Sequence, residues 1–147
     1  MAKRKKKMKI VEKAYVEKNE FTEQIKKIVE GLYYISETDA EISPFIGNKA
    51  ELVTSEEVLK QIKSVIDAPV EERNFNEFFV RLTEMQDWFG DEEIAVANKF
   101  AELKKLLENN LRDLKVFKIG KIELNIYIVG LDSESNLMGI KTKAVET

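Results

Sequence analysis

Four apolar residues on alternate positions near the end of the chain, Ile122, Leu124, Ile126 and Ile128, constrain this sequence more than any other feature. Lys121, Glu123 and Asn125 fill the positions between them. Successive side chains of a strand point to opposite faces, so the pattern demands a strand with one face in a core. Gly130 closes the run, and Asp132, Ser133, Ser135 and Asn136 supply a polar stretch of turn formers. Ile140, Thr142 and Ala144 then alternate with Lys141 and Lys143, leading to Val145, Glu146 and Thr147. Two strands joined by a short polar loop predict an antiparallel hairpin. Tyr127 and Val129 give its first strand a second apolar face, so the sheet needs cover on both sides. Chain ends usually fray. Here the last strand runs almost to Thr147, and that residue with its carboxylate is expected to be held.

The residues upstream must supply the cover. From Asn19, an expected N-cap, Phe21, Ile25, Ile28, Val29, Leu32 and Ile35 recur at steps of three and four. That spacing predicts an amphipathic helix ending near Ser36. Glu37, Asp39 and Glu41 read as a wet acidic connector, and residues 42–46, interrupted by Pro44 and closed by Gly47, as a short edge strand. Thr54 with Glu57, and Asn74 with Glu77, predict capping boxes. The first opens a helix with Val58, Leu59, Ile62 and Ile66 inward, ended by residues 67–69. The second opens a helix carrying Phe75, Phe78, Phe79 and Leu82. Gln86 to Gly90 breaks the pattern and holds the single tryptophan, Trp88, which reads equally as a core anchor. Asp91 is expected to cap the longest helix, with Ile94, Ala97, Phe100, Ala101, Leu103, Leu107 and Leu111 facing inward. Residues 115–119 predict another short strand before Gly120. Helices first and strands last mean α+β, and a sheet apolar on both faces predicts a three-layer α/β/α sandwich. Its sheet is expected to be mostly antiparallel, with the hairpin at its C-terminal end.

With no histidine and no cysteine, the chain lacks the residues of Ser-His-Asp and Cys-His catalysis and of imidazole or thiolate metal sites. No glycine-rich phosphate loop is present. Asp132, Glu134 and Asn136 lack the central glycine and final glutamate of a calcium loop, so they read as a turn. An enzyme of this composition would have to work with carboxylates, lysine, tyrosine or a bound cofactor, and the residues show no active site and no cofactor site of their own. The longest apolar runs are only a few residues, so no membrane partner is expected. The absence of cysteine fits a reducing, cytoplasmic location.

The net charge of −3 joins two unlike parts. Six basic residues and no acid lie in positions 1–9, and the other 18 basic residues face 27 acids, a net of −9. Residues 1–18 are read as a basic extension and 19–147 as a single domain. The extension fits a nucleic-acid arm, a localisation patch, a lipid anchor or a solvated, disordered tail. The acidic body is not expected to bind nucleic acid by its own surface. It suits a basic protein partner, with the chain itself a monomer.

From Glu30 to Thr147 the sequence resembles the nuclease A inhibitor family. Four segments carry the resemblance: Glu30-Gly31-Leu32-Tyr33-Tyr34-Ile35-Ser36-Glu37; Asn76-Glu77-Phe78-Phe79; Gln86-Asp87-Trp88 with Asp91-Glu92-Glu93; and residues 120–130 with 139–147, ending Val145-Glu146-Thr147. Residues 38–45 are more acidic than the family's usual hydrophobic run. The resemblance implies an α/β/α sandwich and a non-enzymatic inhibitor of a sugar-non-specific, magnesium-dependent DNA/RNA endonuclease. It implies that Thr147 reaches the nuclease's catalytic Mg2+ and that Glu37 occupies a phosphate position. Glu146 and Trp88 are implied partner contacts. A general protein-interaction module, and a nucleic-acid-associated protein acting through the basic arm, remain the alternatives.

Overall fold

The computed structural model describes residues 18–64 and 67–147. The basic run at 1–9 and Ile66 lie outside the described residues. Helix α1 is described over residues 18–29. It is followed by strands β1 (Tyr33–Ile35), β2 (Asp39–Glu41) and β3 (Ser43–Lys49), helix α2 (Ser55–Gln61), strand β4 (Val70–Asn74), and helices α3 (Phe75–Thr83) and α4 (Asp91–Asn110). Strands β5 (Arg112–Ile119), β6 (Glu123–Leu131) and β7 (Asn136–Val145) complete the chain. Strands β3 to β7 form one sheet in the order β3-β7-β6-β5-β4, every neighbouring pair antiparallel, while β1 and β2 make a separate two-stranded ribbon.

Both sheet faces are covered. Leu124, Ile126 and Ile128 of β6, with Met138, Ile140 and Ala144 of β7, pack under Phe21 and Ile25 of α1, Phe75 and Phe79 of α3, and Phe100, Leu103 and Leu107 of α4. On the opposite face Phe117, Ile119, Val129, Leu131 and Leu137 pack with Phe45 and with Val58 of α2. The result is the three-layer α/β/α sandwich, with three helices on one side and one on the other among the described residues. The alternation at Leu124, Ile126 and Ile128 and the C-terminal hairpin are both present. Ile122 departs from the expectation: it precedes the strand and is 55% exposed.

Several boundaries differ from the sequence reading. Residue 18 is already helical, so Asn19 lies within α1 and does not cap it. The first helix stops at residue 29, not Ser36, because Gly31 adopts φ +72° and turns the chain left-handed. Tyr33 to Ile35 becomes a strand, and the connector Glu37–Glu41 folds back against it, with Tyr34 opposite Ala40 and Ile35 opposite Asp39. Strand β4, rich in charge, was not expected; as an edge strand it needs no apolar alternation. Helix α2 ends at Gln61. Thr54 accepts from the Glu57 N–H at 3.1 Å, but the Glu57 carboxylate takes Gln61 at 2.9 Å in place of the reciprocal cap. Gly90, not Asp91, is the N-cap of α4, its N–H bonded to the Glu93 carboxylate at 3.0 Å. Ile94 and Ala101 are exposed, so the buried face of α4 is Ala97, Phe100, Leu103 and Leu107.

Candidate functional site

Strand β7 is flanked by β6 on one side along its whole length, but β3 reaches only as far as Lys141 on the other. Beyond that point the turn of the β1–β2 ribbon takes over as the partner. Ser36 Oγ accepts from the Val145 N–H at 3.0 Å, and the Glu37 N–H donates to the Val145 carbonyl at 3.2 Å. The Ser36 hydroxyl donates in turn to the Thr38 carbonyl at 3.2 Å, which fixes the turn. One step earlier, the buried Thr142 hydroxyl donates to the Glu41 carbonyl at 2.8 Å. A hairpin thus continues the sheet edge that β3 leaves open, and its bonds pair the Val145 N–H and carbonyl and the Glu41 carbonyl.

This clamp brings Glu37 to Thr147, 110 residues away in sequence. The Glu37 carboxylate accepts the Thr147 N–H on Oε2 at 3.0 Å and the Thr147 hydroxyl on Oε1. Both residues are exposed. A threonine hydroxyl has one proton and two lone pairs, so giving the proton to Glu37 leaves its acceptor side free. The carboxylate likewise keeps unused acceptor capacity after receiving two donors. Thr147 is therefore held, and its hydroxyl oxygen keeps acceptor capacity.

Glu146, between them, turns the other way. Its N–H donates to the Ile122 carbonyl at 2.9 Å, and its Oε1 accepts from Lys118 Nζ of β5 at 2.9 Å. The Lys118 side chain is 13% exposed, that of Glu146 44%. Tyr34 lies in the same neighbourhood, its ring stacked on Phe78 of α3 with centroids 5.6 Å apart. Burial raises the Tyr34 phenol above its ordinary pKa. Lys118 and Arg81 pull it down, and Glu146 pushes it up. A groove of about 510 Å³ opens on the far side of the turn, lined by Asp39, Glu41, Asn125, Tyr127, Lys141 and Lys143 among others.

A model of the family described as nuclease A inhibitor-like protein matches residues 19–147. The chain belongs to that family. No curated protein matches the sequence. Of the residues to which the family resemblance gave a role, Glu37 and Thr147 are bonded to each other, while Glu146, next to Thr147 in the chain, bonds to Lys118 instead. Trp88 takes part in none of these bonds and lies in the segment between α3 and α4. It is 74% exposed with its ring edge-on to Phe89, so it is not a core anchor. Residues 38–45, where the sequence departs from the usual family run, still build β2 and the start of β3. Ser36 and Lys118 bond to Val145 and Glu146 and had no role in the sequence reading. The signal for Lys118 was a lysine inside the otherwise apolar run Val116, Phe117 and Ile119; for Ser36 it was only its place beside Glu37.

Proposed function

We propose that this protein inhibits a sugar-non-specific, magnesium-dependent endonuclease by presenting Thr147 to the nuclease's metal and Glu37 to the site of a substrate phosphate. The observation that carries the reading is the Glu37–Thr147 pair, which puts two hard-oxygen groups side by side at one exposed tip. Magnesium takes oxygen ligands in a near-octahedral shell. The Thr147 hydroxyl and, with Thr147 as last residue, its α-carboxylate are donors of that kind. The inhibitor brings no metal of its own to the complex. A carboxylate copies a phosphate oxygen pair and can take an arginine in bidentate fashion. The tip is held before binding, so little ordering entropy remains to be lost on association. The excess of acid beyond position 9 matches the positive groove that a nuclease needs for its substrate, and Trp88 offers a rigid exposed aromatic contact.

The test is inhibition of DNA cleavage by a purified magnesium-dependent, sugar-non-specific nuclease, with a second protein carrying one residue added after Thr147. The extension turns the carboxylate into an amide and obstructs the metal. Inhibition by the unextended chain and its loss on extension, at unchanged thermal stability, is the expected result. Equal inhibition by both proteins excludes the terminal carboxylate as a metal ligand.

A further inference from the structure

We infer that Lys118 is the positioning residue of the inhibitory tip, and that the Glu146 carboxylate works inward as its anchor and not outward as a partner contact. This rests on the proposed role of Thr147 and adds the device that aims it. Glu146 is the residue immediately before Thr147, so whatever fixes its side chain fixes the direction in which the chain leaves β7. The ammonium that holds it belongs to an interior strand of the sheet. Lys118 lies on β5, paired to Ile126 of β6 on one side and Glu71 of β4 on the other, so its backbone cannot shift without breaking two ladders.

Alternation along the strand puts Lys118 on the same face as Val116, which is fully buried in the helix-covered core. The stem of the lysine thus lies on the apolar layer while its head reaches Glu146 at the edge. Tyr34 closes over this end of the layer, stacked on Phe78. Among the other ion pairs of the described residues, Glu23–Lys26, Glu71–Arg73, Glu102–Lys99 and Glu72–Lys115 join groups at least 41% exposed, and Lys104–Glu108 joins groups 30% and 47% exposed at a longer 4.0 Å. Exposed pairs of that sort contribute little. The 13% exposure of Lys118 places its pair where water competes least. Three consecutive residues are then tied alternately to two places: Val145 and Thr147 to the Ser36–Glu37 turn, and Glu146 to Ile122 and Lys118. Ser36 and Glu37 hold the tip from the ribbon side. Lys118 alone among these side chains holds it from the main sheet.

The experiment uses the full chain with Lys118→Met, Glu146→Gln and the double substitution. Backbone 15N relaxation of the free proteins reads the order of residues 145–147, and dissociation from the nuclease reads inhibition. Lys118→Met and Glu146→Gln are expected to lower the Thr147 order parameter from about 0.85 toward 0.6. Each is expected to speed dissociation about fivefold, and the double variant no more than either single one. Lys118→Arg is expected to restore the wild-type rate. Glu146 is exposed, so Glu146→Gln gives a folded protein even if Lys118→Met does not. Unchanged order at Thr147 in Glu146→Gln overturns the inference. Additive losses in the double variant also overturn it, because they assign Glu146 a contact of its own with the partner. The relaxation result stands whether or not the wild-type protein inhibits the nuclease, so failure of the inhibitory reading is seen separately.

Discussion

The pairing of Glu37 with Thr147 predicts that the two residues act as one unit, and a double-mutant cycle measures it. Glu37→Gln keeps the size of the side chain but leaves one acceptor oxygen where two are used. Thr147→Val keeps the shape and removes only the hydroxyl that Glu37 receives. A hydrogen bond to a charged group is worth roughly 1.5–3 kcal/mol where water is excluded. Both residues are exposed in the free protein, so solvent screening reduces the coupling to about 1 kcal/mol, or about fivefold in the inhibition constant. Glu37→Gln alone is expected to weaken inhibition by about 2–5 kcal/mol, because it also removes the charge presented at the phosphate position, and the loss should appear mainly as faster dissociation. Thermal midpoints should hardly move, since neither residue is in a core. The assay is DNA cleavage by a magnesium-dependent nuclease titrated with wild type, each single variant and the double. Losses that add to within about 0.3 kcal/mol refute the coupling. Equal inhibition by wild type and Glu37→Gln refutes the role of Glu37 altogether.

Three further outcomes follow from the same structure. The acid excess beyond position 9 should steer association, so the association rate with the nuclease falls as salt rises, even after deletion of the basic residues 1–9; a rate flat with ionic strength excludes steering. Trp88→Ala removes an exposed side chain and is expected to change stability by less than about 0.5 kcal/mol, while weakening inhibition by about 2 kcal/mol if the ring is a contact; unchanged inhibition removes Trp88 from the interface. Gly139→Ala would put a Cβ 1.9 Å from the Ile128 carbonyl oxygen in the middle of the sheet, so denaturant unfolding should show a loss of about 3 kcal/mol, and a wild-type midpoint would show that β6 and β7 separate there at no cost.

Much of the fold was written locally. The alternation of Leu124, Ile126 and Ile128 and the polar loop after Gly130 are properties of neighbouring residues, and a period of two admits only a strand. The spacing of Ala97, Phe100, Leu103 and Leu107 is equally local, as are the caps at Thr54 and Asn74. Errors fell where local chemistry was ambiguous. Leu32 and Ile35 continue the helical spacing of α1, and only the left-handed turn at Gly31 shows that they leave it. Charged β4 resembles a loop because an edge strand with little burial carries no hydrophobic signature.

The site was legible only in part. Sequence resemblance marked Glu37 and Thr147 as separate residues, yet nothing in their local sequence says that they touch. That contact exists because β3 stops short along β7 and leaves backbone groups that the β1–β2 turn satisfies, drawing residue 37 to residue 147. The inward turn of Glu146 depends in the same way on Lys118 lying two positions beyond Val116 on a strand paired on both sides. Periodicity fixes which face a residue occupies, because it follows from backbone geometry over a few residues. Which distant group meets it depends on strand order and register, and these are set by the packing of the whole sheet.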